Sequence, residues 1–106
     1  MKKNLDYTCP KVKSLTKEII NRYINIPYKL YIFGSFARGE ALPYSDLDIA
    51  LETEKEMYET QIRKIKYEID NIKTLKKIDF IYLNKSSEDM KNLVKKEGVL
   101  IYGFGR

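Results

Sequence analysis

Apolar residues recur along this chain with two spacings, one typical of helices and one typical of strands. Steps of three and four residues predict a first helix from about Pro10 to Asn25 and a long helix from about Glu54 to Lys73. Thr53 is expected to cap the long helix through its side-chain oxygen. The residues expected to face inward from the long helix are Tyr58, Ile62, Ile65, Ile69 and Ile72.

Short runs rich in β-branched and aromatic residues predict four strands. Their expected positions are Lys29–Phe33, Asp46–Glu52, Lys77–Leu83 and Val99–Tyr102. A last helix is predicted between the third and fourth strands. We expect Ser86 or Ser87 to cap its start and Gly98 to end it. Its inward-facing residues are predicted to be Met90, Leu93 and Val94.

The order of elements predicts an α/β (α+β) fold, a small sheet of about four strands flanked by helices. The long helix can serve as a right-handed crossover, which predicts that the second and third strands are parallel. The first two strands are joined by only about a dozen residues, near the lower limit for a crossover. The sequence therefore also allows the first two strands to be antiparallel, which would make the sheet mixed.

The composition limits the function classes that the chain can belong to. The 106 residues predict a single domain spanning 1–106, and the net charge of +5, spread along the chain, favours an anionic ligand. Cys9 is the only cysteine, so no internal disulfide is expected and a reducing cytoplasm is the simplest location. No apolar run approaches membrane-spanning length, and no tyrosine-rich basic stripe predicts direct nucleic-acid binding.

The candidate chemistry is concentrated between Gly34 and Leu51. Asp46 and Asp48 lie two residues apart on a predicted strand, so their carboxylates share one face. Two adjacent carboxylates repel each other unless they are solvated or hold a cation, and such hard oxygen ligands suit Mg²⁺ or Mn²⁺. Gly34 and Ser35, at the start of a predicted short helix, offer backbone N–H groups and a hydroxyl to an anion. The stretch therefore predicts a phosphate cradle beside a metal site.

These residues carry a family resemblance. Gly34-Ser35, ten further residues and then Asp46-x-Asp48 resembles the signature of the DNA polymerase beta-like nucleotidyltransferase superfamily. The fuller pattern, Gly-Ser-x-Ala-Arg-Gly followed by Ser-Asp-x-Asp, resembles the minimal nucleotidyltransferases. Many of those are antitoxins paired with a HEPN-domain toxin. The resemblance implies a nucleotidyltransferase fold with a mixed sheet.

The resemblance also implies roles for individual residues. Asp79, an acidic residue within an apolar strand, matches the family's third carboxylate, which would join Asp46 and Asp48 in the metal and catalytic site. Gly34 and Ser35 would hold the β- and γ-phosphates of a nucleotide. Arg38 would contact a phosphate or the leaving group, or else form a surface ion pair with Glu40. Ser45 would orient Asp46 for the nucleotide, or simply cap the turn.

The implied function is Mg²⁺-dependent transfer of AMP from ATP, with one or two Mg²⁺ ions, to a hydroxyl of a HEPN ribonuclease toxin. Tyrosine is the expected acceptor, and the modification would silence the toxin. Larger relatives carry an added domain that grips the acceptor. Here a second polypeptide is expected to present it. Two alternatives remain: an antitoxin that acts by covering its partner without catalysis, and a nucleotidyltransferase for small molecules of the aminoglycoside type.

Overall fold

The computed structural model of the protein describes residues 10–40, 46–72 and 77–103. Helices and strands alternate along the chain. In order, they are α1 (Pro10–Tyr23), β1 (Tyr28–Phe33), α2 (Ser35–Arg38), β2 (Leu47–Thr53), α3 (Glu59–Asp70), β3 (Ile78–Tyr82), a 3₁₀ turn (Leu83–Lys85), α4 (Glu88–Glu97) and β4 (Val99–Gly103). None of the described helices is both long and apolar enough to span a membrane.

The four strands form one mixed sheet with the order β3-β2-β1-β4. β1 pairs with both β2 and β4 in antiparallel fashion, whereas β2 and β3 are parallel. The parallel pair confirms that α3 is the crossover between them. The short link between β1 and β2 accommodates an antiparallel pair, and the predicted four-stranded mixed sheet is thereby confirmed.

Each face of the sheet packs against its own helices. The larger core lies on the face covered by α1 and α3, where Ile20, Leu51 and Ile65 are fully buried. The smaller core lies on the opposite face, where Val94 of α4 packs with Tyr31 and Phe33 of β1. Because side chains alternate along a strand, β1, β2 and β3 each contribute to both cores.

The start of α3 differs from the prediction. Thr53 is the last residue of β2, and its buried hydroxyl donates to the carbonyl of Lys55 and pairs with the hydroxyl of Tyr82. A side chain engaged in this way does not cap a helix, so α3 begins only at Glu59. Tyr58 precedes the helix with 79% of its surface exposed, so the prediction that it faces inward was wrong.

The last helix agrees more closely with its predicted signals. The Ser87 side chain accepts a hydrogen bond from the backbone N–H of Met90, and Gly98 stands at the carboxyl end. Val94 is fully buried and Met90 partly so, but Leu93 is 38% exposed and does not belong to the core. Leu93 lies about 100° around the helix from Val94, at the border between the buried face and the exposed face of the helix.

Candidate active site

Two carboxylates meet on adjacent strands. Asp48 of β2 and Asp79 of β3 are register partners in the parallel pair, and both are half-buried. Their neighbours Ile49 and Phe80 belong to the larger core, so the two aspartates lie on the opposite face, the face of α4. The predicted approach of Asp79 to Asp48 is therefore present in the fold.

The surroundings of Asp48 disfavour its negative charge. Burial raises the pKa of the Asp48 carboxyl to about 6, and the negative charges of Asp79 and Asp46 push the pKa in the same direction. The positive charge of Arg38 opposes this rise. A carboxylate in such surroundings gains from a bound cation, because a cation replaces the lost solvation and offsets the repulsion.

Gly34 lies directly against Asp48. The backbone of Gly34 has φ +77°, and a β-carbon added there would lie 2.2 Å from Oδ2 of Asp48. A side chain there would displace the Asp48 carboxylate, and the positive φ is unfavourable for any residue with a β-carbon. Only glycine therefore lets the turn after β1 lie beside the carboxylate. The turn leads into α2, where the backbone N–H of Arg38 donates to the carbonyl of Gly34 at 3.1 Å.

Arg38 is held by two glutamates. Its Nε donates to Oε1 of Glu40 at 2.9 Å, and its Nη1 donates to Oε1 of Glu97 at 3.2 Å. The ion pair with Glu40 that the sequence suggested is thus present, together with a second one from α4. These two contacts raise the pKa of Arg38, whose guanidinium is in any case always charged in proteins.

The remaining predicted site residues border this centre. Asp46 is exposed and directly precedes β2, and its charge is felt at Asp48. Ser35 is the first residue of α2, adjoining Gly34, and its carbonyl accepts the N–H of Glu40 at 2.9 Å. Ser45 lies outside the described residues.

The donor set suits Mg²⁺ completed by a substrate. Within residues 10–40, 46–72 and 77–103, no three Asp, Glu, His or Cys side chains form a cluster that could hold an ion unaided. Mg²⁺ is commonly bound by one or two carboxylates together with substrate phosphates and water. The half-buried pair Asp48 and Asp79, with Asp46 nearby, fits that mode of binding.

Two neighbours of the site were not among the predicted site residues. Lys77 approaches Asp79, with 3.8 Å between Nζ and Oδ1, and Glu97 reaches Arg38 from 59 residues away. A lysine before a strand and a glutamate near the end of a helix are both common on protein surfaces. The fold alone brings Glu97 to this site, whereas Lys77 precedes Asp79 by two residues and lies on the same side of the chain.

Comparison with known proteins identifies the family of this chain. The sequence model of the family "Polymerase beta, Nucleotidyltransferase" matches residues 15–104. No curated protein sequence matches the chain. A solved structure of a protein from Sulfolobus solfataricus, assigned as a nucleotidyltransferase, is 29% identical, with a TM-score of 0.60 over 99% of this chain and 95% of that chain.

Two toxin–antitoxin structures share the fold at lower identity. One, a tri-AMPylated HEPN toxin from Shewanella oneidensis in complex with its MNT antitoxin, matches at 17% identity and a TM-score of 0.65, covering 88% of this chain and 71% of that chain. The other, a toxin–antitoxin with AMP-PNP, matches at 20% identity and a TM-score of 0.63, covering 86% and 73%. Since the family model covers most of the chain, this protein belongs to the polymerase beta nucleotidyltransferase family.

Proposed function

We propose that this protein is an antitoxin that transfers AMP from ATP to a hydroxyl group of a HEPN ribonuclease toxin and thereby silences it. The observation that carries the proposal is the pairing of Asp48 and Asp79, with Gly34 pressed against Asp48. This arrangement provides acidic oxygens beside a glycine that leaves the backbone accessible. The chain belongs to a family of nucleotidyltransferases. The reaction takes place in the cytoplasm, where ATP and Mg²⁺ are abundant.

In the proposed reaction, the acceptor oxygen attacks the α-phosphorus of ATP. A new P–O bond forms, the bond to the β-phosphate oxygen breaks, and pyrophosphate leaves with the electron pair. Asp79 takes the proton of the acceptor hydroxyl. Mg²⁺ bound by Asp46, Asp48 and Asp79 would neutralise charge on the phosphates. The rate enhancement would come from positioning and charge stabilisation.

The phosphate side of the site is assigned to the turn after β1. Gly34 leaves its backbone open to a phosphate, Ser35 offers a hydroxyl, and Arg38 supplies a permanent positive charge. Ser45, which precedes Asp46 in the chain, is proposed as a further nucleotide contact. The phosphates would then lie beside Asp48, between the carboxylates and the guanidinium.

The acceptor is assigned to a partner protein because of the edge that Asp79 occupies. β3 is the outer strand of the described sheet on that side, so Asp79 borders a surface that another chain can reach. The toxin complexes with the same fold support a HEPN partner. A tyrosine hydroxyl is the proposed acceptor.

The test uses a HEPN-domain protein encoded beside this chain, co-purified with it or added to it. We expect labelled AMP from ATP to appear on that protein when Mg²⁺ is present, and mass spectrometry to place it on a tyrosine. Asp48→Asn and Asp79→Asn are expected to abolish labelling, whereas the surface variant Asp70→Asn is expected to retain it.

Each alternative gives a different result. Neutralisation of the toxin that persists undiminished in Asp48→Asn, without any label, would identify an antitoxin that acts by covering its partner. Labelling of an aminoglycoside but of no protein would identify a small-molecule enzyme. Label transfer that survives both Asp48→Asn and Asp79→Asn would contradict the site assignment.

A further inference from the structure

Arg38 stands on a very short element. Helix α2 is a single turn of four residues, and the Arg38 side chain is 42% exposed. A long side chain in that setting loses much rotamer freedom when it binds a phosphate, and this loss weakens binding. A contact that fixes the guanidinium in advance would remove part of that cost.

Glu97 is the better anchored of the two glutamates that hold Arg38. The Glu97 side chain is 27% exposed, compared with 64% for Glu40. Glu97 lies at the end of α4, which is fixed to the sheet by the fully buried Val94 one turn earlier. The next residue, Gly98, has no room for a β-carbon, which would lie 2.4 Å from the carbonyl oxygen of Val94. The backbone that carries Glu97 is therefore held against the core.

The two carboxylates leave part of the guanidinium available. Glu40 accepts from Nε and Glu97 accepts from Nη1, and within the described part of the chain neither contact uses Nη2. A guanidinium carries five N–H donors in a rigid plane, so fixing two of them also fixes the direction of the others. Binding to Glu97 thus sets where the remaining donors point.

We propose that Glu97 is a positioning residue that holds the Arg38 guanidinium ready for the phosphates of the bound nucleotide. This inference rests on the proposed function, because Arg38 is assigned there to the phosphates. Glu97 does not touch the nucleotide in this arrangement. Its contribution is to orient Arg38 from a helix, α4, that is packed on the core.

The experiment measures nucleotide binding and transfer in the full chain with Mg²⁺. Glu97→Ala is expected to raise the Kd for ATP about tenfold, the size of one hydrogen bond to a charged group. The Kd for AMP, which lacks the β- and γ-phosphates, is expected to rise by less. Glu97→Gln keeps an acceptor oxygen and is expected to retain most of the affinity. Glu88→Ala, an exposed glutamate on the same helix, is the matched control and is expected to behave as wild type.

A double-mutant cycle separates positioning from a structural role. Once Arg38→Ala has removed the guanidinium, we expect Glu97→Ala to cause no further loss of ATP binding. We also expect the Arg38→Ala and Glu97→Ala variants to unfold at similar temperatures. Additive losses, tighter ATP binding by Glu97→Ala, or equal losses for ATP and AMP would overturn the inference alone. A wild-type protein that binds no ATP would overturn the proposed function as well.

Discussion

Asp48 and Asp79 stand opposite each other on two parallel strands, and both lie on the sheet face that carries the smaller core. Burial raises the pKa of Asp48, and the like charge of Asp79 beside it adds to this rise. Repulsion of this kind destabilises the protein when no cation is bound. The site is therefore expected to cost stability, and the cost is measurable.

Asp48→Asn is expected to stabilise the metal-free protein at pH 7. The native pKa of Asp48 is about 6 and the unfolded value is 3.8, so the native state binds the proton more tightly. The free energy of unfolding then rises as the pH falls from 7 through 6, and levels off below about pH 4. With a discount for partial solvation, we expect the variant to gain about 1 kcal/mol at pH 7.

Urea unfolding at pH 7 and pH 5 checks this expectation. The advantage of Asp48→Asn over wild type should shrink at pH 5, because the wild-type carboxyl is then largely protonated in the native state. Asp70→Asn, which removes an exposed carboxylate paired with Lys66, should show no such gain at either pH. A destabilised Asp48→Asn at pH 7 would show that Asp48 is not under repulsion.

Gly34→Ala is expected to destabilise the fold by about 2–3 kcal/mol and to abolish nucleotide transfer. The added β-carbon would collide with the Asp48 carboxylate, and φ +77° adds a further cost. Gly39 provides a matched control because its φ is +76° and, beyond its chain neighbours, no atom of the described residues lies within 4 Å of an added β-carbon.

Gly39→Ala should therefore show the backbone cost alone, about 1 kcal/mol, and should keep its activity. Thermal unfolding and transfer assays on both variants test the comparison. Equal losses of stability in the two variants would mean that the contact between Gly34 and Asp48 has no consequence of its own.

Mg²⁺ and ATP are expected to stabilise the protein together far more than either does alone. The described carboxylates do not form a complete ion site, so Mg²⁺ needs the phosphates, and the phosphates need Mg²⁺ to approach Asp48. At ligand concentrations of about 100 times Kd, the expected gain is about 2.7 kcal/mol. Calorimetry with each ligand alone, both together, and both with EDTA measures this coupling. Strong stabilisation by Mg²⁺ without nucleotide would contradict it.

Tyr82→Phe is expected to cost about 1–3 kcal/mol of stability without changing transfer activity. The buried Tyr82 hydroxyl accepts the backbone N–H of Met57 at 2.9 Å and pairs with the Thr53 hydroxyl at 2.6 Å. Its removal takes the acceptor from the partly buried N–H of Met57 and one of two hydrogen bonds from the Thr53 hydroxyl. Tyr67→Phe, at a side chain with 71% exposure, should be neutral in both assays. A neutral Tyr82→Phe would mean that water replaces the lost hydroxyl.

The sequence predicted most of the fold because local and global signals agree in it. The parallel pair followed from the long crossover, and Ser87 and Gly98 stand at the ends of α4 as expected. Asp79 was predictable because a charge within an apolar strand is unusual, although its role came from the family pattern. These features depend on neighbours in the sequence or on a motif.

The features that the sequence did not predict depend on tertiary contacts. Thr53 is a good capping residue in isolation, but a hydrogen bond with Tyr82, 29 residues later, keeps it in the strand. The ion pair between Arg38 and Glu97 joins residues with no periodic or motif relationship. Long-range partners of this kind are set by how helices pack on the sheet, which local patterns do not contain.

The parallel register of β2 and β3 also links the chemistry to the core. A slip of one residue would set Ile78 or Phe80 beside Asp48 and would turn apolar side chains out of the larger core. The same isoleucines and leucines that exclude water therefore also determine which two acids become neighbours. Core substitutions far from any phosphate can then change catalysis by altering strand alignment. Activity in this fold therefore depends on its hydrophobic core as much as on its acidic residues.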